Sequence, residues 1–102
     1  MTIYNVRLHS SAMRDMDELE EYLKSVMTQI GANKYIDTMI AEVMSLSIFA
    51  DLYRTSTKED ILQYHPQARR MVSHNKRWVY IFHIEGDFAI VDRILSAKNI
   101  KQ

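Results

Sequence analysis

Apolar and polar positions alternate at the two ends of this chain and follow a helical stripe between them. Tyr4, Val6 and Leu8 are separated by Asn5 and Arg7, so Ile3 to Leu8 reads as a half-buried first strand. Ser10 or Ser11 then offers a helix N-cap, because a short hydroxyl accepts from the orphan amides of a first turn. From Ala12 to Ile30, Met13, Met16, Leu19, Leu23, Val26, Met27 and Ile30 form one helical stripe, with Gly31 as its stop. A second stripe, Ile36, Met39, Ile40, Val43 and Met44, predicts a helix over Asn33 to Ser47. The short linker between the two predicts an antiparallel helical hairpin.

Periodicity fades from Ala50 to Ala68. Thr57 and Asp60 give a weak capping signal for a helical turn over Lys58 to Tyr64, and His65-Pro66 breaks it. Tyr53, Arg54, Tyr64 and His65 put aromatic and cationic groups in this loop. Regular alternation returns at Arg69. Two turn signals, His74-Asn75-Lys76 and Glu85-Gly86-Asp87, cut Arg69 to Lys98 into three strands of an antiparallel meander. The middle strand, Arg77 to Ile84, is apolar at nearly every position, which places it centrally. Trp78, Tyr80, Phe82 and Ile84 share one face, expected to meet the helices. Arg77, Val79, Ile81 and His83 share the other, expected to be the more open one. In the last strand Val91, Arg93 and Leu95 alternate with Ile90, Asp92 and Ile94. Asp92-Arg93 reads either as an edge charge or as a placement of Arg93 beside Arg77.

Strand, two helices and three strands in that order predict an α+β domain. A helical hairpin covers one face of a four-stranded, mainly antiparallel sheet, and the first strand's pairing stays open between an edge position and a later strand. At 102 residues the chain makes a single domain, residues 1–102. Composition is that of a globular protein, 47% hydrophobic and 25% charged. No apolar run approaches a membrane span and no signal-peptide pattern opens the chain, so a cytoplasmic protein without membrane contact is expected. The absence of cysteine excludes disulfides and thiolate metal sites. Four scattered histidines lack metal-ligand spacing, and neither a metal nor an organic cofactor is expected. Thirteen basic residues balance thirteen acidic ones, but unevenly. Acids crowd positions 15 to 21 and bases crowd 69 to 77, so one face is expected to be anionic and another cationic.

The order and spacing of these pieces resemble the RelE/ParE superfamily of toxins from bacterial type II toxin–antitoxin systems. The resemblance rests on Ile3-Tyr4-Asn5-Val6-Arg7-Leu8, the helical hairpin, Arg69-Arg70-Met71, Lys76-Arg77-Trp78-Val79-Tyr80, the Glu85-Gly86-Asp87 turn and Val91-Asp92-Arg93-Ile94-Leu95. It implies a cognate antitoxin whose C-terminal segment wraps the toxin in a hetero-oligomeric complex. A disordered segment folding onto an open sheet and its basic groups would bury apolar area and pair charge together.

The superfamily has two branches. RelE-like members cut messenger RNA on the ribosome and arrest translation and growth. ParE-like members inhibit DNA gyrase without hydrolysis. A third possibility is a degenerate toxin that only binds its antitoxin. On the ribonuclease reading, cleavage beside a 2′-hydroxyl needs a base, cations around the phosphate and an acid for the leaving oxygen. The resemblance assigns Arg70, Arg77 and Lys98 to phosphate contact, where the planar arginine fork binds two oxygens. His74 is the candidate acid or base, histidine being the side-chain type suited to proton transfer at physiological pH. Arg69, Lys76, Arg93 and His65 are candidate RNA contacts. The tail Asn99-Ile100-Lys101-Gln102 lacks the tyrosine or histidine common there in RelE-like ribonucleases, and a zero net charge suits a protein target better than ribosomal RNA.

Overall fold

A computed structural model describes residues 2–99. The chain runs β1 (Asn5–Leu8), α1 (Ser10–Val26), α2 (Gln29–Met44), α3 (Leu46–Phe49), α4 (Glu59–Leu62), β2 (Arg69–Val72), β3 (Trp78–Glu85) and β4 (Phe88–Ser96). Short 3₁₀ turns follow α3, at Ala50–Leu52, and β4, at Ala97–Asn99. The sheet order is β1-β4-β3-β2. The meander β2-β3-β4 is antiparallel, as its turns predict, and β1 joins at the edge parallel to β4.

Helix ends depart from the expected positions. His9, not Ser10 or Ser11, caps α1, its Nδ1 accepting from the Ser11 amide at 3.2 Å. The His9 amide donates to the Val91 carbonyl at 2.8 Å, which keeps the backbone extended through His9. α1 then stops at Val26 instead of Ile30, because Thr28 caps the next helix. Its Oγ1 accepts from the Gly31 amide at 3.1 Å, so Gly31 lies in the first turn of α2 and stops nothing. The working stripe of α2 is Ala32, Ile36, Met39 and Val43, all buried, while Ile40 and Met44 are exposed.

The helix-facing core gathers Tyr80 and Phe82 of β3, Met71 of β2 and Val91 and Ile94 of β4 against Leu19, Leu23, Ile36, Met39 and Val43. The opposite face of the sheet is not open, contrary to the expectation. Ile61 of α4 and Ala68 are wholly buried against Val79 and Ile81, with Leu62, Tyr64 and Leu95 packed around them. Two fully buried β-branched side chains on β3 supply apolar area that an exposed sheet would leave in water, and the 56–68 segment covers it.

Strict alternation also fails in β4. Ile81 pairs with Arg93 but Phe82 pairs with Val91, so Asp92 is the extra residue of a bulge. The bulge sends both Val91 and Ile94 into the helix-facing core. β1 accompanies β4 only as far as Val91, so Asp92-Arg93 stands where β4 is itself left as the edge of the sheet.

Candidate functional site

The β2–β3 turn is built by short polar side chains. Ser73 Oγ accepts from the Trp78 amide at 3.0 Å, and Asn75 Oδ1 accepts from the Arg77 amide at 3.0 Å and from Ser73 Oγ at 2.7 Å. The closure puts Lys76 at φ 63°, in the left-handed region. The turn is also moored to α2. Glu42 accepts from the His74 amide through Oε2 and from the Tyr80 hydroxyl through Oε1, the latter at 2.8 Å. Tyr35 Oη accepts from Trp78 Nε1 at 2.8 Å and from Asn75 Nδ2 at 3.0 Å. Burial, and then the bond to Glu42, push the Tyr80 hydroxyl well above the usual phenol range.

Mooring the turn brings three of the expected cations together. Lys76, Arg77 and Lys98 line one open cavity of about 380 Å³, walled also by Tyr22, Trp78, Ser96 and Ala97. Lys98 arrives there because the Ala97 amide donates to the Arg77 carbonyl at 2.9 Å, folding the end of β4 onto the start of β3. Among the described residues no carboxylate lines this cavity. A second cavity of about 240 Å³ adjoins it, sharing Tyr22 and Trp78 and lined further by Asp15, Glu18, Leu19 and Ile94.

The other candidates lie elsewhere. Arg70 pairs across the sheet with Ile81, on the face covered by α4, and its Nη1 is buried without a hydrogen-bond partner among the described residues. Arg69 points to the helix side, as neighbours on a strand must, and its Nη1 donates to the Tyr53 carbonyl at 2.8 Å. It ties the 50–56 loop to the sheet. His74 lines a separate cavity of about 130 Å³ with Tyr35, Thr38, Met39, Glu42 and Asn75. His65 stacks on His83, centroids 3.6 Å apart and rings 3° from parallel. His83 in turn has its Nδ1 2.7 Å from Asp92 Oδ2, and it is buried.

Arg93 lies on the same sheet face as Arg77 but lines no cavity with it among the described residues. Its Nε and Nη2 donate to Asp15 of α1 at 2.7 and 3.1 Å. The same Asp15 accepts from the Ile94 amide at 2.9 Å. Asp15 thus takes over the β4 edge where β1 ends, and its hydrogen bond raises the Arg93 pKa against the opposing effect of burial.

Sequence reasoning overlooked Glu42, Tyr35, Tyr22 and Asp15. Glu42 and Tyr35 are seven positions apart, two turns of one α2 face, and that spacing was the available signal. Among the described residues no group of three histidines, aspartates or glutamates could hold a metal ion, and no helix is long and apolar enough to cross a membrane.

The family model described as "ParE toxin of type II toxin-antitoxin system, parDE" matches residues 6–100. A solved structure titled "Chromosomal ParDE TA system from P. aeruginosa" superposes with a TM-score of 0.77 at 16% identity, covering 92% of this chain and 96% of that one. At that identity the likeness is one of fold. No curated protein matches the sequence.

Proposed function

The chain belongs to the ParE toxin family of type II toxin–antitoxin systems, and from that membership we propose that it inhibits DNA gyrase without hydrolysing its target. One observation carries the choice between branches. A ribonuclease needs its base, acid and phosphate-binding cations within hydrogen-bond reach of one scissile group. Arg77 and Lys98 share a cavity, His74 lines a different one, and Arg70 lies on the covered sheet face. An inhibitor that works by binding needs no such convergence.

The cavity of Lys76, Arg77 and Lys98, with two aromatic walls, favours a second reading. Three cations beside Trp78 and Tyr22 suit a phosphate backbone with a stacked base, as a ribosome-dependent messenger-RNA endoribonuclease would require. The two readings separate in one experiment. Purified toxin is added to a gyrase supercoiling reaction and, in parallel, to a purified translation system read by primer extension. The gyrase reading expects loss of supercoiling and an intact message. Cuts within translated codons, with supercoiling unimpaired, overturn it.

A further inference from the structure

The segment that covers the second sheet face, residues 56–68, is lightly anchored. Its helix, α4, has four residues. Ile61 and Ala68 are the wholly buried side chains in it, set against Val79 and Ile81. On the sheet face beneath, Arg70 keeps a buried Nη1 without a hydrogen-bond partner among the described residues, a cost that contact with water would relieve. Segments held by few buried contacts open locally at a lower cost than the whole domain.

Two histidines fasten the end of this cover. The His65 and His83 rings lie 3.6 Å apart and 3° from parallel. His65 Nδ1 accepts from the Gln67 amide at 3.0 Å, so in this arrangement the ring is neutral and its proton is on Nε2. That bond and the one from the Ala68 amide to the His65 carbonyl, at 3.1 Å, close the turn that delivers Ala68 to the sheet. His83 is buried between two carboxylates. Asp92 Oδ2 is 2.7 Å from its Nδ1, and Glu85 Oε2 is 3.5 Å from its Nε2. The other charges around the pair are mostly cations. Arg93 stands 5.6 Å over the ring of Tyr64, and Arg70 pairs with Ile81, two positions from His83 on the same face. α4 adds Glu59 and Asp60, with Lys58 before them, and all three are exposed.

We propose that residues 56–68 form an acid-opened flap whose latch is the His65–His83 stack. Histidine is the side-chain type whose charge changes within the physiological pH range. A charged His83 is well placed, since each of its nitrogens faces a carboxylate. A further proton on His65 Nδ1 does two things. It turns the acceptor toward Gln67 into a donor, so that two N–H groups face each other and the turn behind Ala68 is lost. It also sets two positive rings 3.6 Å apart beside Arg93 and Arg70, with Asp92 as the one closely held counter-charge. In the opened flap His65 takes its proton in water at no such cost. The opened form therefore binds more protons than the closed one and gains on it as pH falls. Opening bares Val79, Ile81 and the Arg70 guanidinium. The inference is independent of the gyrase reading, since no target enters it.

The test is amide hydrogen exchange on the full chain, resolved by residue with NMR from about pH 8 to about pH 5 and corrected for the intrinsic pH dependence of exchange. The Ser56 amide donates to the Ala68 carbonyl at 2.8 Å, so the Ser56 and Ala68 amides report the flap, and the β3–β4 ladder reports the rest of the domain. Flap protection is expected to fall by up to about tenfold per pH unit, the limit for one proton, while the ladder keeps its own. The ring-nitrogen shifts of His65, followed in the same samples, should show the fall tracking the charging of that ring. His65→Phe keeps a flat ring over His83 and takes no proton, and its flap protection should not vary with pH. Flap protection independent of pH in the unaltered chain overturns the proposal. So does a fall in step with the ladder, a fall that leaves His65 neutral, or the same slope in His65→Phe.

Discussion

Removing the Asp15 carboxylate should be among the most damaging single changes outside the apolar core. Asp15 accepts three hydrogen bonds, two from the Arg93 guanidinium and one from the Ile94 amide. Its side chain is 13% exposed and that of Arg93 is 34% exposed, so the pair is partly screened. A fully buried pair loses ~3–5 kcal/mol when one partner is removed, while exposed pairs contribute less than about 1 kcal/mol. Exposure of Arg93 lowers the estimate, and the orphaned Ile94 amide raises it. For Asp15→Ala this leaves about 2–3 kcal/mol, and for Asp15→Asn, which keeps one acceptor, about 1–2 kcal/mol. The assay is urea unfolding with an unchanged m-value, which keeps the loss attributable to the native state. In a domain of this size Asp15→Ala should lower the melting temperature by roughly 10–20 °C. A double-mutant cycle with Arg93→Ala should return a coupling of about 1 kcal/mol or more. If Asp15→Ala stays within about 0.5 kcal/mol of the unaltered chain, or the two substitutions are additive, the carboxylate does not hold the β4 edge.

The alkaline limb of stability should depend on Tyr80. Its folded pKa is raised, so its contribution is fully present below the ordinary phenol pKa near 10 and is lost as pH rises above it, by ~1.4 kcal/mol per pH unit. Tyr80→Phe should flatten that limb, as read by urea unfolding at pH 9 to 11 (roughly the span around the unperturbed phenol). Tyr4, raised chiefly by its bond to Asp51, titrates in the same sense and leaves a residual slope. His65→Ala should loosen the cover over Val79 and Ile81, costing about 1 kcal/mol for the lost ring stack. Faster tryptic cleavage at Lys58 would report it, and an unchanged rate would show that Ile61 alone holds the segment. Thr28→Ala should cost about 1 kcal/mol through the lost cap, measured by circular dichroism on heating.

The meander was legible because Trp78, Tyr80, Phe82 and Ile84 alternate without interruption between two turn signals. The helix boundary at Thr28 was not, because Met27 and Ile30 continue the apolar stripe of α1 past the point where a hydroxyl cap restarts the backbone. Val26 and Ile30 consequently end up 57% and 69% exposed, apolar residues that periodicity alone assigns to the core. The cover on the second sheet face was illegible for the reverse reason. Its anchors Ile61 and Ala68 are too few and irregular to mark an element, and only the burial of Val79 and Ile81 reveals them. The bulge at Asp92 depends on a partner strand and has no local signature. At the candidate site, adjacency announced Lys76 with Arg77, whereas Lys98 reaches them only through the Ala97–Arg77 backbone bond.

The parallel pairing of β1 with β4 constrains how the chain can be born. Each β1 residue is matched to one 83 positions later, from Asn5 with Phe88 to Leu8 with Val91. β1 therefore waits for its partner, since each residue it pairs with is made 83 positions later. At ordinary elongation speeds the wait is roughly 4–17 s. Until β4 arrives, β3 also lacks one neighbour, and Tyr80, Phe82 and Ile81 sit in a half-built sheet. Contacts this distant in sequence close slowly and leave apolar edges open meanwhile. Nascent chains stalled before Phe88 should therefore be open to proteases and chaperones, and β1 should gain protection only once β4 has been made.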